Sequence, residues 1–578
     1  MEDQNIYRHT PLESKRSIRL VEIPPFKKDR HEQLSSLNII QCSLDDDVHY
    51  EALSYAWDSP KPDTAIPCSG KHILVTANCE AALRRLRRKS RVRLVWIDAV
   101  CIDQDAILER NHQVSMMGEI YMKAVCTLVW LGPGTPDSDW VFRCLRLVHF
   151  LRLQGTKLSP QTVLIFQRLF RGLHTVHRYQ NGAPGKSFKN LKGSVQDVGN
   201  RSYWSRMWTL QEVGLSRHAK LYCGFAKPVP LRFVRLTLDL FRSVQLSQAS
   251  LFHMMMSLWT YPEQRPALSL LFNQILNKVS SDPRDKVFAF KALYPASLGQ
   301  VVVDYERSVE ETYIDATKLI IEREKSLILL CYTNRSSSYP DLPSWTPDWN
   351  TTDTTYEISY ISLFHESKAS KNSETSVNFF QEITKISAKG KLFSPVDWVG
   401  DRIPRAHDRM GSESESSDEI RALLGAVPDH FSILYGWAAA DKTGIQSRLQ
   451  AVLEVLTVIS LGMDVSFVQY IGKILLLEEQ DGSAGVSFAL RNYLDGLIQF
   501  HLGGLTPFIT STGQMGMAFS PNLKSGDTIV AFSGLGMPMI IRAKGDGYLV
   551  VGPAVVSGMM KGEQWPDDES ELQDIVLI

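Results

Sequence analysis

Residues 92–102, VRLVWIDAVCI, and residues 125–131, VCTLVWL, are apolar almost throughout. Runs of this kind suit strands covered on both faces, and such strands belong to sheets sandwiched by helices. The stretch between them, residues 106–123, places Val114, Met117 and Tyr121 on one stripe of a helix. Before the first run, NCEAALRRLRRK (78–89) reads as an amphipathic helix. Cys79, Leu83 and Leu86 face inward and Asn78 serves as N-cap. Earlier still, YEALSYAW (50–57) reads as a buried strand ending near Trp57, before the breaker Asp58-Ser59-Pro60. Strand, helix, strand, helix, strand predicts an α/β N-terminal domain with a parallel sheet. Residues 17–23, SIRLVEI, alternate as a first strand, residues 38–44 form a second, and AKLYCG (219–224) closes the series.

A chain of 578 residues exceeds one core, so about three domains are expected. The N-terminal domain is placed at 1–225, with a helical insertion and a loop over 136–200. A mainly helical middle region comes next at 226–382, including the extended, tryptophan-anchored DLPSWTPDWN (341–350). Residues 383–419 comprise a β-hairpin (383–399) and an acidic, serine-rich linker, GSESESSDE (411–419). Residues 420–578 are expected to hold a helical segment and then, from Gly526 to Gly562, a small β-rich C-terminal module of barrel-like character.

Lys plus Arg and Asp plus Glu both total 63, so no global charge draws the chain to nucleic acid. The most apolar C-terminal stretch, Leu449 to Leu477, is broken by Glu454, Asp464, Gln469 and Lys473, which argues against a membrane span. Eight scattered cysteines without a CxxC pair fit reduced thiols in a cytoplasmic protein.

The densest chemistry lies in RSYWSRMWTLQE (201–212). On a helix, Trp204, Trp208 and Glu212 would climb one stripe, and a carboxylate beside indole faces is desolvated and raised in pKa. Glu212 is either functional or an ordinary helical carboxylate. Asp98, the single charge in its buried run, must be paired, with Arg110 or Arg206 as partner, for structure or for function. Cys101 sits where nucleophiles occur but reads as a buried structural thiol. GAPGKS (182–187) has the tail of a phosphate-binding loop, but Gln180 stands where its first glycine belongs. His174 and His177 lack the glutamate of a zinc-protease motif. No metal site is expected.

ALSYAW, LVWIDAVCIDQ with ERNHQVSMMGEIYMKAVCTLVWLG, and YWSRMWTLQE resemble the three blocks of the fungal heterokaryon incompatibility (HET) domain in order and spacing. SSDPRDKVFAF, WTPDW and GDTIVAFSGLGMPMIIR resemble segments downstream of that domain in large fungal members. Asp58 departs from the glycine usual after the block's tryptophan. The resemblance implies self/non-self recognition and regulated cell death. A more distant resemblance, to TIR domains, rests on the Ser54-Tyr55 position, Asp98, and Trp208-x-x-x-Glu212. It implies a TIR-like fold with Glu212 as the catalytic carboxylate for NAD cleavage, NAD being a substrate and no cofactor being held. Ser54, Tyr55, Trp57, Asp98, Arg206 and Trp208 would then bind substrate. The alternative is a non-enzymatic signalling module that self-associates through the N-terminal domain.

Overall fold

The computed structural model describes residues 5–26, 34–59, 61–153, 191–231, 265–333, 338–351, 363–364, 366–403, 455, 459 and 502–578. The chain forms two compact units: residues 1–267 with 277–309, and residues 268–276 with 310–578. The segment 277–309, beyond the expected boundary at 225, thus belongs with the N-terminal residues.

The first unit is built on strands β1 (Ser17–Ile23), β2 (Asn38–Ser43), β3 (Glu51–Tyr55), β6 (Arg93–Trp96), β7 (Thr127–Trp130), β8 (Ala219–Tyr222) and β9 (Val229–Pro230). They lie in the order β2-β1-β6-β3-β7-β8-β9. The four central strands, β6, β3, β7 and β8, are parallel. The edges are antiparallel, so the sheet is mixed and not parallel throughout. β3 and β7 are buried at every residue, as strands covered on both faces must be. A hairpin that sequence patterning misses, β4 (Thr64–Cys68) with β5 (Lys71–Val75), fills the connection after β3.

Helix α1 (Ala77–Leu86) comes next, with Cys79, Leu83 and Leu86 buried as expected. Its N-cap is Thr76, whose hydroxyl accepts from the Cys79 amide. Asn78 instead lies inside the helix, and its amide donates to the Ala56 carbonyl at 2.7 Å. The run 92–102 is not one strand. β6 stops at Trp96, and α2 (Asp98–Cys101) is one helical turn. Asp98 breaks the strand because its Oδ1 accepts from the Ala99 amide at 2.8 Å, a local bond that competes with the sheet. Val100, Cys101 and Ile102 stay buried, which is why hydrophobicity alone could not separate turn from strand. Burial pushes the Cys101 thiol up to about 12, in keeping with a structural role. Helix α3 (Ile107–Lys123) buries Val114, Met117 and Tyr121 as predicted. Helix α4 (Pro136–Leu153) comes after β7. The GKS loop, His174 and His177 lie outside the described residues.

The second unit has helices at Leu268–Leu276 and Val309–Glu324. Trp345 and Trp349 are fully buried, and the Trp345 indole donates to the Thr384 carbonyl at 2.8 Å. The expected hairpin at 383–399 is instead one long strand, β11 (Ile386–Val399), with β10 (Val377–Phe379) along its edge. Gly390 is no turn. A Cβ there would lie 2.7 Å from the Ala531 carbonyl oxygen, so glycine permits the close approach of the next strand. β11 pairs with both β12 (Thr506–Thr510) and β14 (Thr528–Phe532). β13 (Met515–Ala518), β16 (Gly547–Val556) and β15 (Met539–Lys544) complete a closed ring of six strands. Its core includes Val396, Phe508, Ile529, Ile540 and Val556. The barrel is larger than the module expected at 526–562, because β11, β12 and β13 come from upstream. β17 (Gln573–Leu577) pairs on β11 from outside the ring. The linker 411–419 and most of the helical segment expected over 420–500 lie outside the described residues.

Candidate functional site

The carboxyl ends of β3 and β6 open onto a cleft of about 460 Å³, within the usual range for small-molecule sites. Trp57 and Asp98 line it from those strand ends, and Arg110 from α3. Arg206, Trp208 and Tyr305 line it from the far side, with Asp282 and Asp285 beside them.

The expected helical stripe of Trp204, Trp208 and Glu212 does not form. Ser202–Trp204 is a single 3₁₀ turn, and the helix restarts only at Thr209. Between them the backbone bonds elsewhere: the Met207 amide donates to the Val279 carbonyl at 2.8 Å, and the Val279 amide to Ser205 at 2.6 Å. Residues of the downstream segment thereby replace a turn of helix, which spacing in 201–212 alone could not reveal. Trp204 turns away and donates to the Val198 carbonyl at 2.6 Å. Trp208 faces the cleft and hydrogen bonds Asp285.

Glu212 is 1% exposed and lies behind the cleft wall. Its partner is Ser54, whose hydroxyl donates to it and also meets the Tyr203 hydroxyl at 2.8 Å. Burial pushes the Glu212 carboxyl up to about 7, against the opposing pull of Arg206. The cause is burial, with the Asp98 charge adding to it and the Ser54 bond opposing it, rather than an indole face.

Arg206 joins the parts. It donates to the Tyr55 carbonyl and, at 3.2 Å, to Asp98. Its guanidinium lies 5.3 Å from the centre of the Trp57 ring, a cation–π contact. Burial works against its charge, but Asp98 and Glu212 together hold it firmly protonated. Asp98 also accepts from the Trp57 indole at 3.1 Å. Of the two arginines considered as its partner, the structure selects Arg206.

Asp58 adopts a φ of +56°, a left-handed conformation natural to glycine and tolerated by aspartate. Its carboxylate accepts from Ser202 at 2.5 Å and Asn78 at 2.9 Å. The aspartate thus keeps the turn and adds two ties.

Trp57, Asp98, Arg206 and Trp208 therefore meet on one cleft, whereas Ser54, Tyr55 and Glu212 form the layer behind it. Sequence reasoning missed Asp282, Asp285 and Tyr305. Tyr305 donates to Asp285 at 2.6 Å, and burial pushes the Asp285 carboxyl up to about 6 despite that bond. SSDPRD was visible as a motif, but nothing local ties residues 280–285 to β3. Among the described residues no cluster could hold a metal ion, and no helix is long and apolar enough to cross a membrane.

Residues 50–212 match the family described as heterokaryon incompatibility protein (HET), and residues 485–578 the Het-6 beta-barrel domain. The barrel seen here also recruits β11, upstream of that match. The chain is similar to "Heterokaryon incompatibility protein 6, OR allele" of Neurospora crassa, 24% identical over an alignment of 639 residues covering 92% of this chain and 91% of that one. No solved structure matches. With a HET domain match around the cleft, a Het-6 barrel match at 485–578 and a relative aligned over nearly its full length, this chain is similar to fungal proteins of the heterokaryon incompatibility type.

Proposed function

We propose that the chain acts in self/non-self recognition and regulated cell death in the fungal cytoplasm, through a TIR-like N-terminal domain that hydrolyses NAD. The observation that carries the chemistry is the charge cluster in which Arg206 lies in the field of both Asp98 and Glu212 at a tryptophan-lined cleft. In the reaction the bond from ribose C1′ to the nicotinamide nitrogen breaks, and nicotinamide leaves with the electron pair. Water oxygen bonds to C1′ and releases a proton. The transition state is a cationic oxocarbenium, which nearby carboxylate charge stabilises. Glu212 supplies that charge. Asp98 and Arg206 orient the ribose end, and Trp57 and Trp208 offer flat faces to the rings. Ser54 and Tyr55 hold this arrangement from behind.

The burial of Glu212 favours a second reading, a non-enzymatic module that signals by self-association. NAD level in yeast expressing the full chain, beside Glu212→Gln, separates the two. The expected outcome is NAD depletion by the wild type and a loss of at least tenfold in depletion rate for the variant. Toxicity with NAD unchanged in both would favour self-association.

A further inference from the structure

Two arginines line the cleft, and they differ in one respect. Arg206 is ion-paired with Asp98. Arg110 has no carboxylate in ion-pair range among the described residues. Its guanidinium instead lies over the Tyr305 ring, 4.0 Å from the centroid. Stacking occupies the face of a guanidinium and leaves its edge N–H donors free. The Arg110 Nε is buried with no acceptor among the described residues. Nε and one Nη form the fork that grips two oxygens of a phosphate or carboxylate. A second polar group among the cleft's lining residues, the Ser280 hydroxyl, is likewise buried without a partner among the described residues. Buried donors left unpaired are costly, so two in the lining of one cleft point to a ligand that satisfies them.

The cleft's carboxylates do not claim this fork. Asp98 is held by Arg206 and Trp57. Asp58 is held by Ser202 and Asn78. Asp282 accepts both arms of Arg284, at 2.9 and 2.8 Å. Asp285 is tied to Tyr305 and Trp208.

We propose that Arg110, stacked on Tyr305, is the anion-binding group of this cleft and takes the diphosphate of a nucleotide-type ligand. The inference rests on the nucleotide reading of the cleft, but it concerns binding and not cleavage. A nucleoside without phosphate would leave the fork unused.

The test measures binding of ADP-ribose and of adenosine to the full chain by calorimetry, for the wild type, Arg110→Gln and Arg110→Lys. Wild type is expected to bind ADP-ribose. Arg110→Gln is expected to weaken ADP-ribose at least tenfold and adenosine by less than twofold. Arg110→Lys keeps the charge and loses the fork, so an intermediate loss is expected, which also serves should the glutamine variant fold poorly. Equal weakening of both ligands, unchanged ADP-ribose affinity, or no ADP-ribose binding to the wild type would overturn the proposal. Arg110-dependent binding without NAD cleavage would uphold it while removing the hydrolase reading. Cleavage with affinity independent of Arg110 would do the reverse.

Discussion

Glu212 and its layer set the behaviour of single residues. Its carboxyl is raised from 4.5 to about 7 in the folded protein. Between those values the folded state holds a proton that the unfolded chain has released. The associated stability is complete below 4.5 and is lost as pH rises through 7. Asp285, raised to about 6, acts in the same direction. Glu212→Gln keeps hydrogen-bonding capacity toward Ser54 and removes the titration. From pH 5 to 8 its Tm is expected to fall less than that of the wild type, by about 2–4 °C, in a thermal-unfolding series. A parallel fall in both would place the pH dependence elsewhere. Sequence reasoning anticipated a raised carboxyl here, yet it invoked stacked tryptophans. The real cause is burial, to which the Asp98 charge adds, while Arg206 and the bond from Ser54 pull the other way.

Between elements, close approach decides. Gly118 sits inside α3, where a Cβ would lie 2.4 Å from the Ala292 Cβ and 3.1 Å from Leu215 Cδ1. Alanine would gain about 1 kcal/mol of helix propensity. Overpacking against another Cβ costs about 1–3 kcal/mol and is expected to win. Gly118→Ala should therefore lower Tm by a few degrees, and a raised Tm would mean that the segment around Ala292 yields easily. Elements with a clean period were legible: α3, β7 and β8 lie within a residue or two of where the pattern put them. Elements interrupted by a local bond were not. Asp98 ended β6 through its own carboxylate, and Val279 interrupted the tryptophan segment from over seventy positions downstream. Four of the seven proposed site residues meet on the cleft, because β3, β6 and the 201–212 segment converge as their buried patterns require.

For the molecule as a whole, the first unit is incomplete at residue 225. The Lys278 ammonium donates to the Trp204 carbonyl at 2.6 Å, and Val279 and Asp285 complete the backbone and indole bonds of 205–208. Burial pushes the Lys278 amine down to about 7, with Lys286 adding to the effect. A fragment ending at 225 would leave the Trp204 carbonyl, the Ser205 carbonyl, the Met207 amide and the Trp208 indole without these partners. It is expected to be insoluble or to lose near-ultraviolet circular dichroism, whereas the full chain keeps both properties. A soluble, cooperatively unfolding 1–225 fragment would contradict this.

The helix Leu268–Leu276 belongs to the second unit, although the chain on either side of it belongs to the first. Leu268, Phe272 and Ile275 of that helix are fully buried. That interleaving bears on inheritance. Where a chain passes between two units once, a single crossover at the joint exchanges them intact. Here a crossover within codons 226–309 would build the first unit from two parents. A crossover just after codon 309 would leave the donor's nine-residue helix in the core of the recipient's second unit. The two units can pass between lineages unmixed only as a pair.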